Sequence, residues 1–365
     1  MEIAVIGGGI SGLTAAYHLQ QKLAADNVIR VYEAERQVGG VIRSDRLLGM
    51  VVEGGPDTLF VKEDWLREWI SELKLDSDIV YPRPGIKSAW RITTEGESTG
   101  PSSTDQGITF REGMAQLPKR LAEKLKGKIK LGSTITLLQP DVETTGFKIH
   151  RDRRIYLADA VVLATPAPIA RRLMAGWQPT WARELDTIGH RPRALVVGLY
   201  AKDAIPERLY QHSGFWNGPG TPWLMDACTV LSRKWQYPDD GTYVALRTFW
   251  GAHPPSRCAH WSDEDMMRHH GQELNDLAGV KADPVVSTIY RWNQALPQID
   301  LDQQQRIADW RQTLLRLYPN LAIVGAFMGG VGVASCIKDA MTAAEQLAQW
   351  IIHQPGRPVS VPPGS

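Results

Sequence analysis

The sequence predicts an α/β protein of two interleaved parts, one doubly wound around parallel strands, the other an α+β part built on an antiparallel sheet. Residues 3–6 form an apolar run followed at once by glycines, then by apolar residues at helical spacing (Leu13, Ala16, Tyr17, Leu19), then by a second strand-like run at 28–32. Strand, glycine turn, helix, strand is how a parallel sheet of this type begins. Residues 187–290 instead alternate short β-like runs with turns such as Asp239-Asp240-Gly241, which signals antiparallel pairing.

The remaining elements follow from the same patterns. Residues 65–73 read as an amphipathic helix, 115–126 as a second, and 263–277 as the one helix of the antiparallel region. Residues 129–138, 147–157 and 160–164 read as strands, 321–325 as a buried parallel strand and 339–352 as a closing helix. Residues 93–107 are polar, small and without periodicity, a linker, and the Pro/Gly/Ser-rich residues 354–365 read as a flexible tail. The expected division is a discontinuous dinucleotide domain over 1–60, 108–175 and 310–353, and a substrate domain over 61–92 and 176–309.

Composition narrows the class of protein. A chain of 365 residues with 43% apolar and 22% charged residues is an ordinary globular balance with room for two domains. A net charge of +1 offers no long-range field for nucleic acid, which is not expected as a partner. Cys228, Cys258 and Cys336 are widely spaced and read as free thiols of a reducing compartment. No targeting peptide precedes the first strand and no apolar run approaches the length of a membrane span, so a cytoplasmic, soluble protein without stable membrane insertion is expected, as a monomer or homodimer. Eight of the 13 tryptophans fall between Trp177 and Trp292, either lining an aromatic pocket or filling a core.

Residues 7–12, Gly-Gly-Gly-Ile-Ser-Gly, fit the pattern GxGxxG of a Rossmann turn. Gly7 makes the tight turn, Gly9 lets backbone approach a pyrophosphate, and Gly12 lets the helix pack on the sheet. Glu33, ending the next strand, is placed to accept hydrogen bonds from the adenosine ribose and to repel a 2′-phosphate. A second glycine pair, Gly39-Gly40, follows, placed to lie against the phosphates of the same ligand.

With Glu53-Gly54-Gly55-Pro56-Asp57-Thr58, Phe110-Arg111-Glu112-Gly113-Met114, Gly132-Ser133-Thr134-Ile135-Thr136, the run 291–298 and the closing element 325–337, this arrangement resembles the monoamine oxidase-like flavoenzyme superfamily. Within it, the sequence is most similar to the bacterial type of protoporphyrinogen/coproporphyrinogen oxidase. It departs in four places, one being Ala340, which replaces a glycine. Gln37 stands where an arginine is usual, with Arg36 one place early; Ala334-Ser335 replaces Pro-Asp; and the polar linker stands in place of a long, mostly helical membrane-docking segment. The resemblance implies FAD, with contacts from Gly7, Gly9, Ile10, Ser11, Gly12, Glu33, Ala34, Arg36, Gly39, Gly40, Val41, Gly55, Pro56, Asp57, Ile135, Ala164, Thr165, Trp292, Gly325, Gly332 and Val333.

The activity it implies is dehydrogenation of a porphyrinogen to a porphyrin, with O2 as acceptor. Two other readings stand beside it: a flavin amine oxidase or desaturase with another substrate, and a non-catalytic binder of FAD or a tetrapyrrole. A macrocycle with propionate arms needs an apolar slot with a cation at its rim, for which Arg43, Arg247 and Arg291 are candidates by residue type. No catalytic residue is nominated, because a flavin carries the hard chemistry itself. No metal site is expected: His269 and His270 are adjacent on a helix, read as surface histidines, and do not share a face as i, i+4 ligands would. Arg151-Asp152-Arg153-Arg154 reads as a solvated turn.

Overall fold

The computed structural model describes residues 1–99, 107–237, 241–252 and 258–354. The chain divides into two units, one of residues 1–40, 118–189 and 297–365, the other of residues 41–117 and 190–296. Relative to the division expected from sequence, residues 41–60 and 108–117 fall in the second unit, and the later boundaries lie at 189 and 297.

The first unit is built on a five-stranded parallel sheet in the order Ile129–Lys130, Val28–Tyr32, Glu2–Ile6, Ala160–Leu163, Leu321–Ile323. The central strands are apolar without alternation because both faces are covered, as in Ala160–Leu163, where every residue is buried. Helix Ile10–Lys22 packs beside helix Val333–Ile352, and Glu345 of the latter takes ion pairs from His18 at 2.9 Å and Lys22 at 3.0 Å. An antiparallel meander, Leu137–Pro140, Phe147–Arg151 and Arg154–Ala158, shares a second core with Ala4, Ile6 and Tyr32 of the parallel sheet.

Two expected strands are each divided. Residues 147–157 turn back at Asp152 and Arg153, both left-handed (φ 49° and 64°) although neither is glycine. Residues 129–138 break at Gly132 (φ 59°), so that their ends join different sheets. Three helices of eight residues or more were not anticipated from the pattern: Ala167–Met174 and Pro179–Asp186, each with proline in its first turn, and Leu301–Leu317, opened by a capping box of Asp300 and Gln303. Proline at a helix start supplies the right φ and lacks only an N–H that would have no helical partner.

The second unit holds a seven-stranded sheet in the order Val286–Gln298, Gly189–Ala201, Tyr243–Trp250, Met225–Val230, Gly214–Asn217, Trp90–Thr93, Gly96–Thr99. Its resolved pairings are antiparallel except for that of Gly214–Asn217 with Trp90–Thr93. Gly96–Thr99 lies within the expected linker. It is an edge strand exposed at every residue, so it has no apolar face to announce it. Residues 100–106 of that linker, Asp239 and Asp240 of the expected turn, and the tail from 355 onward lie outside the described residues.

Helix Asp263–Ala278 covers this sheet with Met266, Leu274 and Leu277. His270 sits on that same stripe and is wholly buried, not on the surface as expected. Its ring nitrogens meet the Tyr200 hydroxyl at 2.6 Å and Thr248 Oγ1 at 2.9 Å. His269 stacks on the Trp261 ring, centroids 4.2 Å apart. Trp90, Trp235 and Trp250 are among the largest fully buried side chains, so these three tryptophans serve as core.

Burial depresses the His270 pKa to about 4. The unfolded chain, with an ordinary imidazole near 6.5, therefore binds the proton first as pH falls. Stability is expected to be full above about pH 6.5 and to drop by about 3 kcal/mol toward pH 4 through this residue. Urea unfolding of wild type and His270→Gln across this range checks it. The substitution lowers stability at pH 7 and flattens the acid slope; an unchanged slope would reject the assignment.

Candidate cofactor site

In the first unit, the residues expected to hold a dinucleotide gather at the carboxyl ends of the parallel strands. Gly7 turns the chain at φ 110°, and a Cβ there would lie 2.3 Å from the Ala164 carbonyl oxygen. A Cβ on Gly12 would lie 2.0 Å from the Gly7 carbonyl oxygen. Both glycines are thus required by the chain's own packing. Gly9 differs: a Cβ there would meet no atom within 4 Å, and its backbone is extended at φ −74°. Nothing in the protein requires glycine at this point, and the open space is where a ligand can approach the main chain.

Gly9 caps helix Ile10–Lys22, and no side chain caps its first turn. Free amides and the positive end of the dipole are left for an anion. The second glycine pair closes against the same loop, Gly39 N donating to the Gly8 carbonyl at 2.9 Å and Gly40 turning at φ 59°. Glu33 is buried; its Oε2 accepts from Gly8 N at 2.6 Å and its Oε1 from Glu35 N at 2.8 Å. Two hydrogen bonds fix this carboxylate and leave further lone pairs for sugar hydroxyls. Ala34 and Arg36 are exposed beside it, and Ile135 is buried in the same unit.

Thr165, following the third strand of the βαβ frame, has a buried Oγ1 with no protein partner. Gly325 (φ 138°) ends the last strand, and Gly332 caps the closing helix at Val333, again without a side-chain cap. Cys336, one turn in, donates to the Gly330 carbonyl; burial pushes its thiol up to about 11 against the lowering effect of a Ser11 hydrogen bond. It is an inert packing thiol.

The other expected residues fall in the second unit. A Cβ on Gly55 would lie 1.8 Å from the Val41 carbonyl oxygen, and one on Gly54 would strike the Tyr290 ring at 2.4 Å. Trp292 Nε1 donates to the Gly54 carbonyl at 2.7 Å. Asp57, next to Pro56, does not present a free carboxylate. Its Oδ2 pairs with Lys234 Nζ at 2.9 Å and Arg247 Nη2 at 3.0 Å. Burial alone would raise this carboxyl, but Arg247 and Lys234 hold it well below the usual carboxylate range. Glu53, fully buried, goes the other way: desolvation pushes it to about 8 although Ser44 and the Met114 amide donate to it.

Two of the three expected rim cations are committed elsewhere. Arg247 is 2% exposed; besides Asp57 it donates to the Gly55 carbonyl at 2.8 Å and stacks on Phe249. Arg291 pairs with Asp263 and donates to the Trp261 carbonyl. Arg43 is half-buried, and its carbonyl accepts from Gly54 N. Lys234, and Glu53, which appears in sequence only within the segment 53–58, are the charged residues that the structure adds. Among the described residues no cluster of His, Cys, Asp and Glu suits a metal ion, and no helix is long and apolar enough to cross a membrane.

A model of the flavin containing amine oxidoreductases matches residues 89–348, and one of NAD(P)-binding Rossmann-like domains matches residues 5–73. The chain belongs to the flavin-containing amine oxidoreductase family. It is a flavin-dependent oxidoreductase, and its cofactor is FAD. Among its relatives, the coproporphyrinogen III oxidase of Mycobacterium tuberculosis H37Rv is 23% identical over 97% of this chain and 98% of its own length. That of Bacillus subtilis is 22% identical over 84% of this chain, which spans only 63% of that relative's length.

Solved structures share the fold. A crystal structure from Exiguobacterium sp. 255-15, named a candidate protoporphyrinogen oxidase, has a TM-score of 0.85 at 20% identity, covering 96% of this chain and 99% of that one. Cyclohexylamine oxidase of Brevibacterium oxydans has a TM-score of 0.77 at 14% identity, covering 96% and 99%.

The first unit fits FAD: the uncapped helix ends and open Gly9 suit the diphosphate, Glu33 the ribose, and the orphaned Thr165 hydroxyl a polar atom of the ligand. Because Gly9 is spared by the protein's own packing, Gly9→Ala is expected to leave the melting temperature of FAD-free protein within about 1 °C of wild type, yet weaken FAD binding at least about tenfold in fluorescence titration. Unchanged FAD affinity would place the diphosphate elsewhere. In the second unit, Asp57→Asn strips two buried cations of their counter-charge and is expected to cost about 3–5 kcal/mol in denaturant unfolding. A loss below about 1 kcal/mol, the scale of exposed pairs, would mean that the cluster is solvated.

Proposed function

We propose that this oxidoreductase dehydrogenates a porphyrinogen, coproporphyrinogen III or protoporphyrinogen IX, to the porphyrin, with O2 as the electron acceptor, in the cytoplasm as a step of haem biosynthesis. The observation that carries this reading is the run of relatives named coproporphyrinogen III oxidase, from Mycobacterium to Staphylococcus aureus, that match 94–97% of this chain and 97–98% of their own lengths. The amine oxidases, at 14–16% identity, support the frame alone.

The reaction takes six electrons and six protons from one porphyrinogen and delivers them to three O2, giving three H2O2. FAD supplies the hydride acceptor and the passage of electrons to oxygen. The residues of this chain bind and orient. In the first unit the Gly7–Gly12 loop and Glu33 anchor the cofactor. In the second, Tyr290 and Trp292 flank Gly54 as aromatic walls, and half-buried Arg43 is a candidate cation for a propionate.

Anaerobically prepared coproporphyrinogen III, mixed with FAD-loaded protein in air, is expected to give porphyrin fluorescence well above the spontaneous rate and three equivalents of peroxide per porphyrin. Putrescine and cyclohexylamine are expected to give no peroxide. Peroxide from an amine without porphyrin formation would make the chain an amine oxidase; neither product would make it a binder.

A further inference from the structure

The first unit contains a cavity of about 450 Å³ that none of the expected FAD residues lines. One side comes from strands Glu2–Ile6, Val28–Tyr32 and Ile129–Lys130 of the parallel sheet, the other from Phe147–Arg151 and Arg154–Ala158 of the meander. Ala4, Ile149 and Ala158 give it a buried apolar floor. Tyr32 and Tyr156 stand in its wall with ring centroids 6.4 Å apart and planes tilted by 48°.

Three cations line the same cavity, against one carboxylate. That carboxylate, Glu2, is paired with Arg30. The turn expected over 151–154 is present and exposed at Asp152, Arg153 and Arg154, but Arg151 at its start turns in. Its guanidinium carbon lies 5.0 Å from the Tyr156 ring centroid and 5.9 Å from that of Tyr32. Nη1 donates to Ser133 Oγ at 3.3 Å and Nη2 to the Tyr156 hydroxyl at 3.1 Å. The nearby Asp152 carboxylate, 3.2 Å away, is 70% exposed, so water screens that pair. Lys130 is exposed and has no ion-pair partner among the described residues.

A guanidinium stacked on aromatic rings and tethered at both amino groups is already ordered before a ligand arrives, which lowers the entropic cost of binding. We propose that this cavity is a second ligand site, built for a small aromatic anion of the nucleoside monophosphate class. The flat base lies against Tyr32 and Tyr156 over the apolar floor. The phosphate lies between Lys130, a mobile point charge, and the ordered fork of Arg151. The site stands apart from the oxidation proposed above and does not rest on it.

The test is titration of FAD-loaded protein with AMP by calorimetry, the cofactor's own adenine site being filled, while flavin absorbance is followed. Expected are saturable AMP binding without flavin release, at least about tenfold weaker binding of adenosine and of inorganic phosphate, and about tenfold weaker AMP binding in Lys130→Ala and in Tyr156→Ala. Both variants are expected to retain bound FAD, which controls for folding. No saturable binding, phosphate binding as tightly as AMP, wild-type AMP affinity in both variants, or flavin displaced by AMP would each overturn the proposal.

Discussion

The first unit depends on one close approach of backbone to backbone. Where the chain leaves strand Glu2–Ile6 it passes against the carbonyl of Ala164, and one turn later the helix it has begun lies over the carbonyl of Gly7. Positions 7 and 12 would each bring a Cβ to within 2.3 Å of a carbonyl oxygen, well inside contact distance, so neither carbonyl can yield to a methyl group without moving a strand. Only with both side chains absent does the helix start directly at the strand's end. Its first turn then carries no side-chain cap. The anion site follows from a packing requirement. Gly9, the position the packing does not need, is the one left with open space beside its main chain.

The second unit solves a different problem. The segment after Glu53 belongs to no ladder, so its carbonyls must find partners elsewhere. Side chains supply them: Arg247 takes the carbonyls of Glu53 and Gly55, and Trp292 takes that of Gly54. Three consecutive carbonyls are thereby held by residues from two strands of the antiparallel sheet. Arg247 can remain buried in this role because Asp57 supplies its counter-charge, and Asp57 in turn holds Lys234. The charges are thus a means of fixing backbone shape; Arg247 and Trp292 stood out in the sequence as candidates, but their pairing with the carbonyls of residues 53–55 did not.

How much was legible follows from these distances along the chain. Four of the five parallel strands and the glycine turn are local patterns that the sequence shows within a residue or two, whereas the strand expected over 129–138 leaves the parallel sheet at Lys130. The pairing of Asp57 with Lys234 spans 177 positions, and no periodicity reports it. Proline hid two helices because in a sequence it reads as a stop, although at a first turn it is a start. Asp152 and Arg153 make the turn expected over 151–154, yet the strand reading of 147–157 ran straight through it, because neither residue is the glycine that a left-handed turn favours. His270 was readable in principle: it lies four residues after Met266 and four before Leu274, on the buried stripe of its own helix. The side-by-side histidines drew attention away from that spacing.

The likeness to both amine and porphyrinogen oxidases lies in the frame. A parallel sheet with an uncapped helix end at the carboxyl ends of its strands fits a dinucleotide and says nothing of the substrate. The cluster in the second unit is a matter of burial. Desolvation pushes the Glu53 carboxyl to about 8 and lowers the Lys234 ammonium, while Arg247 and Lys234 hold the Asp57 carboxyl below the usual carboxylate range. One carboxylate shared by two cations lets the three groups be buried only as a set, because removing one leaves an uncompensated charge. The shape of residues 53–58 therefore depends on groups far apart in the chain.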